Sequence, residues 1–295
     1  MRTAHTLGIG SIAVLLLGAG SYFFGGKVGP HPDGTGLTPN GWMLTPAGLS
    51  VEVGDRPMGM APSPDGRYLA ISNDGQGVQS LVLFDTATKK VVQTLPYPSP
   101  QALYLGLAWS PDGKALYASA GGNNKIRTYR LEKGVLAEGQ PIVLGDDSKP
   151  LYPAGLAVSP DGQTLYVALN LGNALAAIDL ASGSVKTLAF GEPASPKDIG
   201  TLPFQVVLSK DGKTLYTTHQ GAGAVAVVET ASLKLGKLIE VGDHPSGLAL
   251  SPDGTRLYVA NANSDTVSVI DTQSQKSVGT VDLKPYPGCP LRLHA

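Results

Sequence analysis

The sequence predicts an all-β fold built from repeated four-stranded antiparallel units, and three observations carry that reading. The tetrapeptide Ser-Pro-Asp-Gly begins at Ser63, Ser110, Ser159 and Ser251, with a Ser-Lys-Asp-Gly variant at Ser209. The intervals are 47, 49, 50 and 42 residues, the period of a propeller blade or a similar repeat unit. Each copy is followed by the same alternation of short apolar segments and polar turns, with no amphipathic helix of useful length between them.

The last copy shows the plan. Ser246–Leu250 reads as a short buried strand. Ser251-Pro-Asp-Gly254 places Ser at position i, Pro at i+1 and Gly at i+3, as a type I turn prefers. Leu257–Ala260 is a second strand, and Asn261–Asp265 a polar turn. Thr266–Ile270 alternates apolar and polar residues as a half-buried strand must. Asp271–Lys276 turns again, and Ser277–Leu283 makes a fourth strand. Four short antiparallel strands with tight turns amount to one blade of a β-propeller. Leu116–Ser119, Leu165–Ala168 and Leu215–Thr218 take the second-strand position in their own copies, so five complete blades are expected. Leu49–Val53 reads as a surplus outer strand before the first repeat, because it leads into Gly54-Asp-Arg-Pro57 as Leu238–Val241 leads into Gly242-Asp-His-Pro245.

The run Leu257–Thr272, LYVANANSDTVSVIDT, resembles the YVTN-repeat β-propeller family, and the likeness extends over residues 48–283. Gly29–Gly48 and Val51–Gly75 are similar to the leader of bacterial secreted proteins in which such a propeller precedes an alkaline-phosphatase-like phosphoesterase domain. That resemblance implies catalytic metals and a nucleophile in a second domain absent from these 295 residues. It also implies a sixth repeat where residues 284–295 instead form an irregular tail, so the chain is expected to be a truncated or frameshifted piece of a seven-bladed propeller. A closed five-bladed ring is the alternative.

Composition bounds the rest. Gly (38) and Pro (23) are above average and mark repeated turns. The charged fraction is 15% and the net charge −1 without a basic run, which leaves nucleic-acid binding no electrostatic footprint. Cys289 is the one cysteine, so no internal disulfide can form. Arg2 precedes Leu7–Phe24, eighteen residues without a charge. Residues 1–26 are therefore read as a cleaved signal peptide or an uncleaved anchor, and the protein as exported, periplasmic or extracellular. Membrane contact is expected only through that segment. Residues 27–47 read as a Gly/Pro-rich linker.

Blade topology puts the Ser-Pro-Asp-Gly turns on one face and collects the second-to-third-strand turns and inter-blade connections on the other. That second face is the expected ligand or partner face. Its candidate residues are Arg56, Asn73, Asn123, Asn170, His219, His244 and Asn261, with Tyr104, Tyr152 and Phe204 just before inner strands. Asp65, Asp112, Asp161, Asp211 and Asp253 are spread one per blade and do not converge. His219 and His244 lack a third ligand at a recognisable spacing, so neither a metal nor a cofactor is expected. His5, His31 and His294 are assigned nothing. No Gly-X-Ser-X-Gly, His-Glu-X-X-His or Cys-X-X-Cys-His occurs. The expectation is a non-catalytic binding or scaffold module, the accessory half of a phosphoesterase-type protein. The alternative is a lactonase-like hydrolase with its site at the central channel, an argument by analogy with similar propellers.

Overall fold

A computed structural model describes residues 28–39, 41–45, 47–146, 148–191 and 200–284. The predicted signal segment, Cys289, His294 and nearly all of the predicted tail lie outside these residues. The chain divides into two units, one ending at Glu52 and the other beginning at Val53.

In the first unit, β1 (Gly29–Pro30), β2 (Gly36–Leu37) and β3 (Met43–Leu44) form a small antiparallel meander. The segment expected as an extended linker is thus locally ordered. Its turns are closed by side chains: the Thr35 hydroxyl donates to Asp33 at 2.7 Å, and Trp42 N–H donates to the Thr38 hydroxyl at 2.9 Å. Such Asx and ST turns let polar residues organise short strands that composition alone reads as linker.

The second unit holds five antiparallel sheets in chain order. Blade 1 is β4 (Pro57–Pro62), β5 (Tyr68–Asn73), β6 (Gln79–Asp85) and β7 (Lys90–Tyr97). Blade 2 is β8 (Leu107–Trp109), β9 (Ala115–Ser119), β10 (Lys125–Glu132) and an outer strand in two pieces, β11 (Val135–Glu138) and β12 (Ile142–Val143). Pro141, which has no N–H to give a ladder, lies between the pieces. Blade 3 is β13 (Pro153–Val158), β14 (Thr164–Leu169), β15 (Ala174–Asp179) and β16 (Val185–Ala189). Blade 4 is β17 (Pro203–Leu208), β18 (Thr214–His219), β19 (Ala224–Glu229) and β20 (Lys234–Glu240). Blade 5 is β21 (Pro245–Leu250), β22 (Arg256–Asn261), β23 (Thr266–Asp271) and β24 (Lys276–Asp282). The predicted strand at Leu49–Val53 is not formed. Its alternating pattern suits a strand, yet no sheet edge pairs with it; Val53 instead gives its carbonyl to the Asn73 amide at 2.7 Å.

Each Ser-Pro-Asp-Gly turn closes in the same way. In the first, Gly66 N–H donates to Ser63 C=O at 2.8 Å, the Ser63 hydroxyl donates to Asp65 at 2.6 Å, and Tyr68 N–H donates back to that hydroxyl at 2.9 Å. The glycine takes φ near +70° in four copies (+70°, +70°, +73°, +70°) and +78° at Gly254, where a Cβ would be strained. The turn serines hold all five carboxyls below the usual carboxylate range, Asp253 at about 2. These aspartates are committed to turn geometry.

Between successive blades the two facing surfaces bury one apolar layer each. Leu81, Leu83 and Tyr97 of blade 1 meet Leu116 and Tyr129 of blade 2, and similar layers follow between blades 2 and 3, 3 and 4, and 4 and 5. Each fully buried Leu or Ile contributes roughly 1.5–3 kcal/mol. Polar contacts also join blades 1 and 2, among them the reciprocal hydrogen bonds of Gln93 with the Leu136 backbone at 3.0 and 2.7 Å. The Tyr97 and Tyr129 hydroxyls are 2.7 Å apart, and Arg127, 3.9 Å above the Tyr97 ring, pairs with Glu138 at 2.7 Å. The inner strands β4, β8, β13, β17 and β21 pack on one another in that order, and no comparable packing joins blade 5 to blade 1 among the described residues. The series is open, unlike the closed five-bladed alternative. Met60 on blade 1 and Tyr258 on blade 5 are 64% and 40% exposed on the outward faces, whereas Tyr166 and Tyr216, equivalent to Tyr258, are 6% and 3% exposed.

Candidate functional site

The lead-in to blade 1 and three inter-blade connections enter their blades through a residue in the left-handed region: Arg56, then Tyr152, Leu202 and His244, with φ of +55°, +52°, +51° and +52°. That conformation costs a non-glycine residue roughly 1–2 kcal/mol. It is locked by one repeated hydrogen bond, in which the left-handed residue's carbonyl accepts from the residue just past the second strand. Asp74 N–H donates to Arg56, Asn170 to Tyr152, Gln220 to Leu202 and Ala262 to His244. The device therefore pairs two side chains at the mouth of blades 1, 3, 4 and 5. In blade 1 the pair is a guanidinium and a carboxylate.

Arg56 Nε lies 4.0 Å from Asp74 Oδ1, and the two side chains are 62% and 9% exposed. Asp74 Oδ1 is buried and has no hydrogen-bond partner. Loss of water raises the Asp74 pKa above 3.8, opposed by Arg56 and helped by Asp55. Asp74 acts electrostatically on two of three aromatic residues carried by the next three blades. Tyr104 meets Tyr152 edge-to-face, with ring centres 5.0 Å apart at 76°, and Phe204 at 6.3 Å and 77°. Burial pushes the Tyr104 hydroxyl up to about 12, with Tyr152 and Asp74 adding to the rise and Arg56 opposing it. Burial and then Asp74 raise Tyr152 as well. The carboxylate and the aromatic residues thus share one electrostatic environment. Its parts are a poorly solvated base, an exposed cation and an aromatic wall.

A family model described as lactonase, 7-bladed β-propeller, matches residues 40–282. The chain belongs to that family. No curated protein matches it. Among solved structures it is similar to hydrazine synthase of Kuenenia stuttgartiensis at 25% identity, covering 78% of this chain and 67% of that one with a TM-score of 0.58. It is also similar to a functionally unknown protein from Desulfotomaculum acetoxidans (21% identity; 78% of this chain, 73% of that one; TM-score 0.63). Virginiamycin B lyase from Staphylococcus aureus matches at 20% identity over 79% of this chain and 71% of its own, with a TM-score of 0.61. These likenesses establish the propeller fold.

Of the residues singled out in the sequence, the structure brings Tyr104, Tyr152 and Phe204 into ring contact, with Arg56 near enough to act electrostatically on Tyr104. Asn170 is beside them but donates its amide to Pro203 C=O at 3.2 Å. Asn123 spans the connection into blade 2, accepting from Ala102 N–H at 2.7 Å and donating to Pro100 C=O at 2.9 Å. Asn73 and Asn261 are buried second-strand ends that bond within their own blades, to Ser80 at 3.1 Å and to Ser268 at 2.9 Å. His244 lines a separate polar cleft of about 420 Å³ with Gln220, Asp243 and Asn263. Asp74 was not singled out. Its signal was its alignment with Asn170, one residue beyond the strand-ending Asn73. Among the described residues no group of three or more His, Cys, Asp or Glu is placed to hold a metal ion.

His219 occupies the same strand-end position as Asn73 and Asn261. It is fully buried, neither ring nitrogen has a partner, and its ring meets Phe190 edge-to-face at 4.3 Å. Burial lowers its pKa from 6.5 to about 4. The unfolded chain therefore binds a proton between pH 6.5 and 4 that the folded chain refuses, so stability present above pH 6.5 declines as pH falls through that window. His219→Phe is expected to flatten this decline. Urea midpoints measured from pH 7 to 4 test it, and an unchanged slope would assign the pH dependence elsewhere.

Proposed function

We propose that this protein is a lactonase-like hydrolase whose site is the mouth formed by Arg56, Asp74 and Tyr104. The observation that supports this reading best is the Asp74 carboxylate, nine-tenths buried, with one oxygen lacking any donor. Partial desolvation makes a carboxylate a stronger base, here toward a water molecule that enters with the substrate. Asp74 takes a proton from that water as its oxygen attacks the lactone carbonyl carbon. The guanidinium of Arg56 faces the oxyanion that forms. Collapse of the tetrahedral intermediate breaks the ring C–O bond, and the departing alkoxide recovers the proton, giving a hydroxy acid.

The test is hydrolysis of a panel of γ- and δ-lactones by the purified chain, followed by titration of released acid. Arg56→Gln should lower kcat/KM by about tenfold, less than loss of an enclosed oxyanion donor, because this side chain is 62% exposed. Failure to turn over any lactone would refute the assignment.

A second reading keeps the propeller as the binding half of a longer exported protein of the phosphoesterase type. The exposed apolar residues on the outward face of blade 5 favour it, since such surface usually meets a partner. Export itself rests on Arg2 and the uncharged run Leu7–Phe24.

A further inference from the structure

We infer that the mouth selects lactones that carry a flat apolar ring, an aromatic one foremost, over polyhydroxylated sugar lactones. This rests on the lactonase-like reading and adds the substrate class. Tyr104, Tyr152 and Phe204 come from three successive blades, and both contacts of Tyr104 are steep edge-to-face arrangements. Planes set at 76° and 77° to a central ring make an angled wall. A flat ring entering it stacks on one member and meets the edge of another, the two arrangements that aromatic groups prefer.

The wall is fixed before any ligand arrives. Asn124, 1% exposed, accepts from Leu151 and Tyr152 N–H at 2.8 and 3.3 Å and donates to Asp146 and Lys149 C=O at 2.7 and 3.1 Å. One buried amide thus holds the connection that presents Tyr152. Tyr104 N–H donates to Ser119 C=O at 2.8 Å, and Gln79 holds the preceding Leu103 N–H at 2.7 Å. Gly121 lies beneath the pair, where a Cβ would come within 3.3 Å of the Tyr152 ring. Preorganisation of this kind removes part of the ordering cost of binding.

The same hydrogen bonds argue against a sugar ring. A polyol must exchange each hydroxyl's water for a protein partner or lose affinity. Around the wall, Asn123 and Asn170 already donate their amides to backbone carbonyls. The polar capacity left is on Asp74 and Arg56, where the lactone group itself belongs, and on the two tyrosine hydroxyls of the wall, fewer groups than the hydroxyls of a polyol require.

The experiment compares dihydrocoumarin with glucono-δ-lactone as substrates of the full chain and measures binding of coumarin by calorimetry. Dihydrocoumarin should have the higher kcat/KM. In Tyr152→Ala and in Phe204→Leu the ratio of the two should fall by about threefold to tenfold, through KM, and coumarin binding should weaken to the same degree. Two variants on different blades keep the test intact if one fails to fold. Turnover that favours the sugar lactone would overturn this inference and leave the lactonase reading standing. Absence of all turnover would overturn the lactonase reading instead. Saturable coumarin binding lost in Tyr152→Ala would then sustain the aromatic site, and no binding would remove it.

Discussion

Asp74→Asn is expected to remove lactone hydrolysis by a factor of about 10²–10⁴ while making the protein more stable. The two effects have one cause. Asp74 is held where water is scarce, with an oxygen that nothing satisfies. Its pKa is raised because the folded state penalises the charge, and Arg56 at 4.0 Å compensates only in part. A carboxyl whose folded pKa lies above its unfolded value costs stability once pH exceeds both, and costs nothing below pH 3.8 where it is protonated in either state. An uncharged amide of the same shape relieves that cost at neutral pH, by about 0.5–2 kcal/mol if it behaves as other relieved sites do. Thermal unfolding of the variant and wild type at pH 7 should differ in the variant's favour, and the gap should close as pH falls toward 3.8. Activity of the wild type should follow the ionised carboxylate, rising with pH through a midpoint above 3.8. A residue that only supports the fold would lose stability and activity together, and that outcome would exclude Asp74 as the base.

What the sequence made legible follows from how local the cause was. The blade turns depend on a serine, an aspartate and a glycine within four residues, so Ser63, Asp65 and Gly66 declare their geometry without neighbours. The alternation in Thr266–Ile270 marks a strand by its period of two alone: Ser268 and Ile270 are its buried positions, with Ile270 in the layer against blade 4, while Val267 and Val269 are half-buried on the opposite face. Leu49–Val53 carries similar alternation and forms no strand, since a strand also needs an edge to pair with and this segment pairs with none. Asp74 was illegible for a comparable reason. It follows Asn73 in a polar run, and only the hydrogen bond to Arg56 C=O distinguishes the residue at the mouth from the one buried behind it. His219 carries the residue type of a catalytic base, and what decides its environment is Phe190, twenty-nine residues earlier in the chain.

Gly106→Ala should be the most damaging single-methyl change in the propeller, and Gly247→Ala among the mildest, although both glycines stand four residues before the turn serine of their blades. Neither has a left-handed backbone, so conformational freedom is not what selects glycine. At Gly106 an added Cβ would lie 1.9 Å from the Ala154 carbonyl oxygen of blade 3 and 2.8 Å from the Ser119 hydroxyl. Gly59 faces the Leu105 carbonyl of blade 2 at 2.0 Å in the same way, and Gly155 the Phe204 carbonyl of blade 4 at 2.6 Å. A backbone oxygen fixed in a neighbouring sheet cannot rotate aside, so blades 2 and 3 must separate or tilt. Overpacking of this kind costs typically about 1–3 kcal/mol, and a rigid backbone obstacle places Gly106→Ala at or beyond the upper end, near a 10 °C fall in Tm for a domain of this size. At Gly247 the nearest atom to an added Cβ is the Ala260 Cβ of its own blade, at an ordinary 3.6 Å. There the methyl only lowers the entropy of the unfolded chain, a gain of roughly 0.5–1 kcal/mol. Differential scanning of the two variants measures whether anything covers the outward face of blade 5. A Gly247→Ala protein as impaired as Gly106→Ala would mean that a further inner strand approaches Gly247 in solution as closely as blade 3 approaches Gly106.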